Sequence, residues 1–180
     1  MFKSKLPALN AILIVNLVFI VAGLFLCVMS IINAEANFAT IVAAIFKMIA
    51  LIDAIVYIFM GYGKKVAKFY FVFGLLFAIA QIFSLASLSV NSGDFVLTVL
   101  SALSLVFILV LIFSENFGKK NSLLTCSGII ILSIASLLYN IILGNGVLFY
   151  GADVVKIILS CVYTTMTYAK YIDKERRGTK

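Results

Sequence analysis

The chain has 180 residues, 64% of them hydrophobic, with one proline and neither tryptophan nor histidine. A mean hydropathy of +1.23 exceeds what a soluble core of this size can bury, which excludes a soluble globular domain and makes lipid the expected environment. The net charge of +7 follows from where lysines and arginines stand relative to the apolar runs, so nucleic acid is not an expected partner.

Six apolar runs follow one another along the chain, with short polar segments between them. Each run has about 20 residues, the length that a helix needs to cross the hydrocarbon core of a bilayer. The predicted spans are residues 9–32, 38–62, 69–90, 95–113, 122–143 and 147–168. The sequence therefore predicts an all-α, multi-pass membrane protein of six transmembrane helices, in which residues 1–180 form a single transmembrane domain.

The charges between the spans alternate from one side of the membrane to the other. Of the fourteen lysines and arginines, twelve lie before span one, between spans two and three, between spans four and five, or after span six. The other three connections contain Glu35, Asp94 and no charge, respectively. Because basic loops stay in the cytoplasm, the pattern predicts a plasma membrane protein with both termini cytoplasmic. The five basic residues from Lys170 onward are expected to attract anionic lipid headgroups.

Recurring spacings indicate that the six spans form three related hairpins. Gly63-Lys64-Lys65 recurs as Gly118-Lys119-Lys120, 55 positions later. Glycines inside spans one, three and five are offset by 51 and 54 positions: Gly23, Gly74 and Gly128. The predicted two-helix repeats are residues 1–66, 67–120 and 121–180. The alternative is that spans of similar length with short loops produce such offsets unaided.

Two segments of the first hairpin carry a further signal. They are Phe19-Ile20-Val21-Ala22-Gly23-Leu24-Phe25-Leu26-Cys27 and, after a short loop, Thr40-Ile41-Val42-Ala43-Ala44. Together they resemble the two-helix unit of the HdeD-like family of bacterial membrane proteins. The resemblance implies six spans in three short repeats and an association with acid resistance, and it brings no catalytic motif.

Catalytic and metal-binding chemistry is not expected. Without histidine, the chain lacks the commonest zinc and iron ligand and the imidazole base of serine and cysteine catalysis. The three cysteines lie within predicted spans and indicate small apolar fillers. Asp53 and Asp153 differ in depth by about 15 Å along their helices, too far for an aspartyl dyad. We therefore predict a protein that is not an enzyme, with no catalytic residue, cofactor or metal.

Four ionisable residues lie inside the predicted spans: Lys47, Asp53, Asp153 and Lys156. At the bilayer centre each costs at least about 2.5 to 3.5 kcal/mol, so each needs a partner, water or a route to the interface. Asp153 and Lys156 are three positions apart, share one helical face and can neutralise each other. Lys47 and Asp53 are six positions apart and point about 120° apart around their helix.

Two interpretations of these charges stay open. In the first, the four residues form a polar pathway for a proton, an anion or another small solute. In the second, they brace the bundle by bonding to polar side chains of other helices, with these candidates: Asn16, Tyr57, Gln81, Tyr139 and Asn140. The alternative function is then a membrane stress or immunity protein, or an interaction subunit, that forms a homo-oligomer or docks to a larger membrane complex.

Overall fold

A computed structural model describes residues 7–33, 37–60, 66–91, 94–113, 119–145 and 147–178. It contains six helices: α1 (Pro7–Ile32), α2 (Phe38–Met60), α3 (Val66–Asn91), α4 (Phe95–Phe113), α5 (Lys119–Ile142) and α6 (Val147–Gly178). The predicted all-α class is confirmed. The basic side chains of the tail that were expected to meet anionic lipid lie outside the described residues, apart from Lys170.

Five of the six helices, α1 to α5, are long and apolar enough to cross a membrane. The multi-pass character predicted from the sequence is confirmed to that extent. α6 is the longest helix, with 32 residues, but it is less apolar because it contains Asp153, Lys156 and a basic C-terminal part. The sixth span, the cytoplasmic termini and the three repeats stay predictions.

The two ends of the bundle differ in charge. We call the end where α1, α3 and α5 finish and α2, α4 and α6 begin the lysine-poor end, and the opposite end the lysine-rich end. Polar residues end or begin helices at the lysine-poor end. Asn37 accepts a hydrogen bond from the Thr40 amide at 3.1 Å, and Asp94 accepts two, from the amides of Val96 and Leu97, at 2.9 and 3.1 Å.

The C-terminus of α5 is closed by a Schellman motif. Gly144 has a positive φ of 67°, which glycine adopts without steric cost. The Gly144 amide donates to the carbonyl of Ile141, and the Asn145 amide donates to the carbonyl of Asn140, each at 3.1 Å. The chain therefore turns directly from α5 into α6.

The helices form a closed ring in chain order, in which each helix packs against the next and α6 packs against α1. α6 also contacts α2 and α3, so it lies towards the centre of the ring and touches four of the other five helices. This central position fits the burial of most of its described side chains, including Val155, Leu159 and Tyr163. Large exposed apolar side chains, among them Val18 and Phe95, cover the outside of the bundle. This outer surface is suited to contact with lipid.

The half of the bundle near the lysine-rich end is filled by an aromatic cluster, which consists of Tyr70, Phe73 and Phe77 of α3 and Tyr163 of α6. Ring centroids lie 4.9 Å apart for Tyr70 and Tyr163 and 5.4 Å apart for Phe73 and Tyr163. The Lys170 ammonium lies 4.3 Å from the Tyr70 ring centroid. α3 and α6 approach closely here because residue 74 is glycine: a Cβ at that position would lie 2.6 Å from the Tyr163 hydroxyl.

Candidate functional site

A polar cavity of about 530 Å³ occupies the half of the bundle near the lysine-poor end. All six helices line it, and its lining reaches from the exposed Asn33 at that end to side chains near mid-helix. Its polar lining residues are Ser30, Asn33, Asn37, Thr40, Lys47, Gln81, Ser84, Ser87, Ser101, Ser136, Asn140, Asp153 and Lys156. The volume lies within the range of small-molecule binding sites, about 300 to 1,000 Å³.

Small residues make room for the cavity where α2 and α6 face each other. Ala43 and Ala44 of α2 and Gly151 and Ala152 of α6 line it. A Cβ at Gly151 would meet only a methyl group of Leu26, at 3.9 Å, so the space there is open. The cavity thus arises from the sequence itself, since bulkier side chains at these positions would fill it.

Two lysines line the cavity from neighbouring helices. Lys47 is 7% exposed and Lys156 is 4% exposed, and within the described residues neither ammonium makes a hydrogen bond or ion pair. Each stands nine residues into its helix, about 14 Å from the lysine-poor end at 1.5 Å per residue. The two cations therefore meet at one depth, where they interact electrostatically with each other and with Asp153.

Asp153 finds its partners on α5 rather than on its own helix. Its Oδ1 accepts a hydrogen bond from the Ser136 hydroxyl at 2.9 Å, and its Oδ2 accepts one from the Asn140 amide at 2.6 Å. The Asn140 oxygen in turn accepts from Asn145 Nδ2 at 2.6 Å. The expected neutralisation of Asp153 by Lys156 through a local ion pair is thus not what the structure contains. Both carboxylate oxygens are already bonded across the α5–α6 interface.

The remaining polar side chains form a neutral wall contributed mainly by α2 and α3. Thr40 and Ser87 join the two helices through a hydroxyl–hydroxyl bond of 2.6 Å. Gln81 Nε2 donates to the Ser101 carbonyl at 3.3 Å, which links α3 to α4. Each of these four residues also lines the cavity, so the wall is polar and held in place by its own bonds.

The aromatic cluster forms the packed layer below the cavity. Tyr163 follows Lys156 by seven residues, or about 10 Å along α6. Its ring is fully buried against Phe73 and Phe77, so this layer is dense and apolar. The cavity therefore faces the lysine-poor end and is separated from the lysine-rich end.

Of the four candidate pathway residues, the structure brings together Lys47, Asp153 and Lys156. Asp53 does not line the cavity and lies in the other half of α2, with one carboxylate oxygen buried and without a hydrogen-bond partner in the described part of the chain. The reason is the six-residue spacing from Lys47, which places Asp53 about 9 Å further along the helix and on a different face.

The bracing candidates divide between the two halves of the bundle. Asn140 bonds to Asp153, and Tyr139 donates to Asp94 at 3.4 Å. Asn16 donates to Thr165 at 2.8 Å and so joins α1 to α6 outside the cavity. Tyr57 is buried in the apolar core, and Gln81 lines the cavity. Asn140 and Gln81 thus both join helices and line the cavity, whereas Asn16 joins helices outside it.

Sequence reasoning missed the serines and threonine that line the cavity. Ser84, Ser136 and Thr40 carry no signal of their own in the sequence. Their common feature is position: each lies within about 15 Å of the lysine-poor end. In α3 and α4 the serine, threonine and amide residues all lie in the half near this end.

Comparison with known proteins adds no assignment. No family model matches the chain, and no curated protein or solved structure matches it either. The resemblance to the HdeD-like family stays a hypothesis, and function must be argued from the cavity.

Proposed function

We propose that the protein binds a small anionic solute in the cavity and carries it across a bacterial plasma membrane. The observation that carries this proposal is the pair of buried ammonium groups, Lys47 and Lys156, which have no partner among the described residues. An unpaired buried charge is costly, so an anion between the two lysines would stabilise the site. Ionisable residues inside a membrane also mark solute pathways as a rule.

In the orientation that we propose, the lysine-rich end faces the cytoplasm and α6 is the sixth span. Support comes from the distribution of basic residues, twelve of fourteen at that end. α6 has 32 residues, more than the roughly 20 that a span needs. Its two central charges, Asp153 and Lys156, line the cavity, which lowers the cost of placing them at membrane depth. A solute would then enter from outside.

The aromatic cluster suits the role of a closed cytoplasmic barrier. For a solute to pass, Tyr163 of α6 would have to leave its place against Phe73 and Phe77 of α3. We therefore propose a carrier that alternates between two states by movement of α6 against α3, rather than a continuous channel. Asp53, in the cytoplasmic half, is the next ionisable residue along this path.

Uptake into proteoliposomes tests the proposal. The purified protein should take up a small organic carboxylate, and Lys47→Met should reduce uptake at least ten-fold while the protein remains folded. Lys68→Met is the matched control, because Lys68 is exposed on α3 and does not line the cavity. Asp53→Asn should keep solute binding and lose uptake. A folded parent protein that takes up neither protons, halides nor carboxylates would contradict transport and favour the interaction-subunit alternative.

A further inference from the structure

The charges that line the cavity set the charge of the solute. With both lysines protonated, Lys47 and Lys156 contribute +2 and Asp153 contributes −1, a sum of +1 among the described lining residues. Asp153 contributes its negative charge from a fixed position, because Ser136 and Asn140 each donate a hydrogen bond to one of its oxygens. A single negative charge therefore neutralises the site, whereas a dianion would leave an excess charge in a poorly hydrated region.

The placement of the lysines favours an anion with two acceptor oxygens. Lys47 and Lys156 lie at about the same depth on helices that contact each other, both line the cavity, and they interact electrostatically. A carboxylate offers one oxygen to each ammonium and forms charge-assisted hydrogen bonds with both. A neutral solute would leave both buried cations without a counter-charge.

The rest of the cavity determines the body of the solute. Thr40 and Ser87 carry hydroxyl groups on the α2–α3 wall, where they bond to each other, and Asn37 adds an amide at the mouth. A hydroxyl both donates and accepts, so such a wall suits a body with several hydroxyl groups. An alkyl body would displace water from these groups and return no hydrogen bond. At about 530 Å³ the cavity holds far more than a single atomic ion.

We propose that the solute is a hydroxyl-rich organic monocarboxylate, bound with its carboxylate between Lys47 and Lys156 and its hydroxyl groups along the α2–α3 wall. This assignment rests on the proposed function, since it names the class of anion that the same cavity takes. The assignment excludes halides, neutral sugars, fatty acids and dicarboxylates as the preferred solute.

Four six-carbon probes separate these features at constant ionic strength: gluconate, hexanoate, glucose and glucarate. Gluconate has the charge and the hydroxyl groups, hexanoate only the charge, glucose only the hydroxyl groups, and glucarate a second charge. Binding to the purified protein is followed by thermal unfolding and by protection of Cys27, a buried thiol that lines the cavity, from a small thiol reagent. Cys126 and Cys161 do not line it and serve as internal controls.

We expect gluconate to bind at least ten-fold more tightly than each of the other three probes. Lys156→Met should abolish gluconate binding, Lys68→Met should leave it unchanged, and Thr40→Val should weaken gluconate binding at least three-fold without changing hexanoate binding. Thr40→Val removes one hydroxyl from a partly exposed wall residue and keeps the protein testable if a lysine variant fails to fold.

Equal binding of hexanoate and gluconate would overturn the hydroxyl-rich assignment and leave anion binding intact. Tighter binding of glucarate than of gluconate would contradict a net cavity charge of +1 and would also leave anion binding intact. Binding of glucose in preference to gluconate, or of none of the four probes, would overturn this inference together with the proposed anion carrier. Gluconate binding that survives Lys156→Met unchanged would place the solute outside the cavity.

Discussion

The substitution Asp153→Asn probes the network that holds the cavity together. Asp153 accepts one hydrogen bond from Ser136 and one from Asn140. Asparagine has the same shape but can accept on one side only, so its amide nitrogen would face a donor. Asn140 cannot turn its oxygen towards that nitrogen without losing the bond from Asn145. The Ser136 hydroxyl can accept as well as donate, so an asparagine with its oxygen towards Asn140 and its nitrogen towards Ser136 keeps both contacts as neutral hydrogen bonds.

The expected cost follows from these bonds. A hydrogen bond to a charged group contributes about 1.5 to 3 kcal/mol, and a neutral one about 0.5 to 1.5 kcal/mol. Asp153→Asn converts both charged bonds into neutral bonds. We therefore expect the free energy of unfolding to fall by about 2 kcal/mol.

Thiol-reactive dye is a suitable probe of unfolding, because Cys126 is buried away from the cavity and the chain has no tryptophan. The matched control is Asp53→Asn, the same substitution at a carboxylate with a buried oxygen that lacks a partner in the described residues. This control should leave stability unchanged or raise it. If Asp153→Asn unfolds at the same temperature as the parent, or if both variants lose equal stability, the argued role of the α5–α6 bonds is wrong.

The same substitution should change the preference for solutes. Removal of the Asp153 charge raises the sum of cavity charges from +1 to +2, so glucarate should gain affinity relative to gluconate by at least ten-fold. A general loosening of the fold would weaken the binding of gluconate and glucarate alike. A loss of stability together with a changed ratio of the two affinities therefore points to the Asp153 carboxylate itself. An unchanged ratio of the two affinities would contradict the charge count.

Three further predictions test other parts of the structure. Gly74→Ala places a methyl group 2.6 Å from the Tyr163 hydroxyl and should cost about 1 to 3 kcal/mol in a denaturation assay, whereas Gly151→Ala meets open space and should be neutral or stabilising. Asp94→Ala removes the N-cap of α4 and should cost about 1 kcal/mol in the same assay; no loss would contradict the cap. A reporter fused after Lys180 should be cytoplasmic and one inserted near Asp94 external; an external C-terminus would refute six spans.

The positions of the helices could be read from the sequence because each apolar run is bounded by charged or turn-forming residues. The predicted span 95–113 coincides with α4, and the span 38–62 ends two residues after α2. The largest difference is at the end of α6, which continues ten residues beyond the predicted limit at Tyr168. Lysine, glutamate and arginine favour the helix there without being apolar, so hydropathy alone underestimates its length.

The site could be predicted only in part. Lys47, Asp153 and Lys156 were identifiable because a charge in an apolar helix is conspicuous and needs an interior environment. The hydroxyl-lined wall was not identifiable, because serine and threonine also occur where membrane helices pack closely, so their presence does not indicate which face lines a cavity. The sequence predicts that Asp53 and Lys47 point about 120° apart around α2, so that they do not share a face. The packing of the helices then shows that Lys47 is the one that lines the cavity.

The bonds between Asp153 and α5 also bear on how the protein enters the membrane. α6 is the least apolar of the six helices and would partition poorly into lipid by itself, whereas α5 is apolar enough to cross. Only four residues, 143–146, separate the two helices, and Ser136 and Asn140 of α5 are the residues that bond the α6 carboxylate. We therefore expect α5 to remain at the translocon until α6 is synthesised. The two helices should then enter the lipid together as a hairpin in which Ser136 and Asn140 already bond the Asp153 carboxylate.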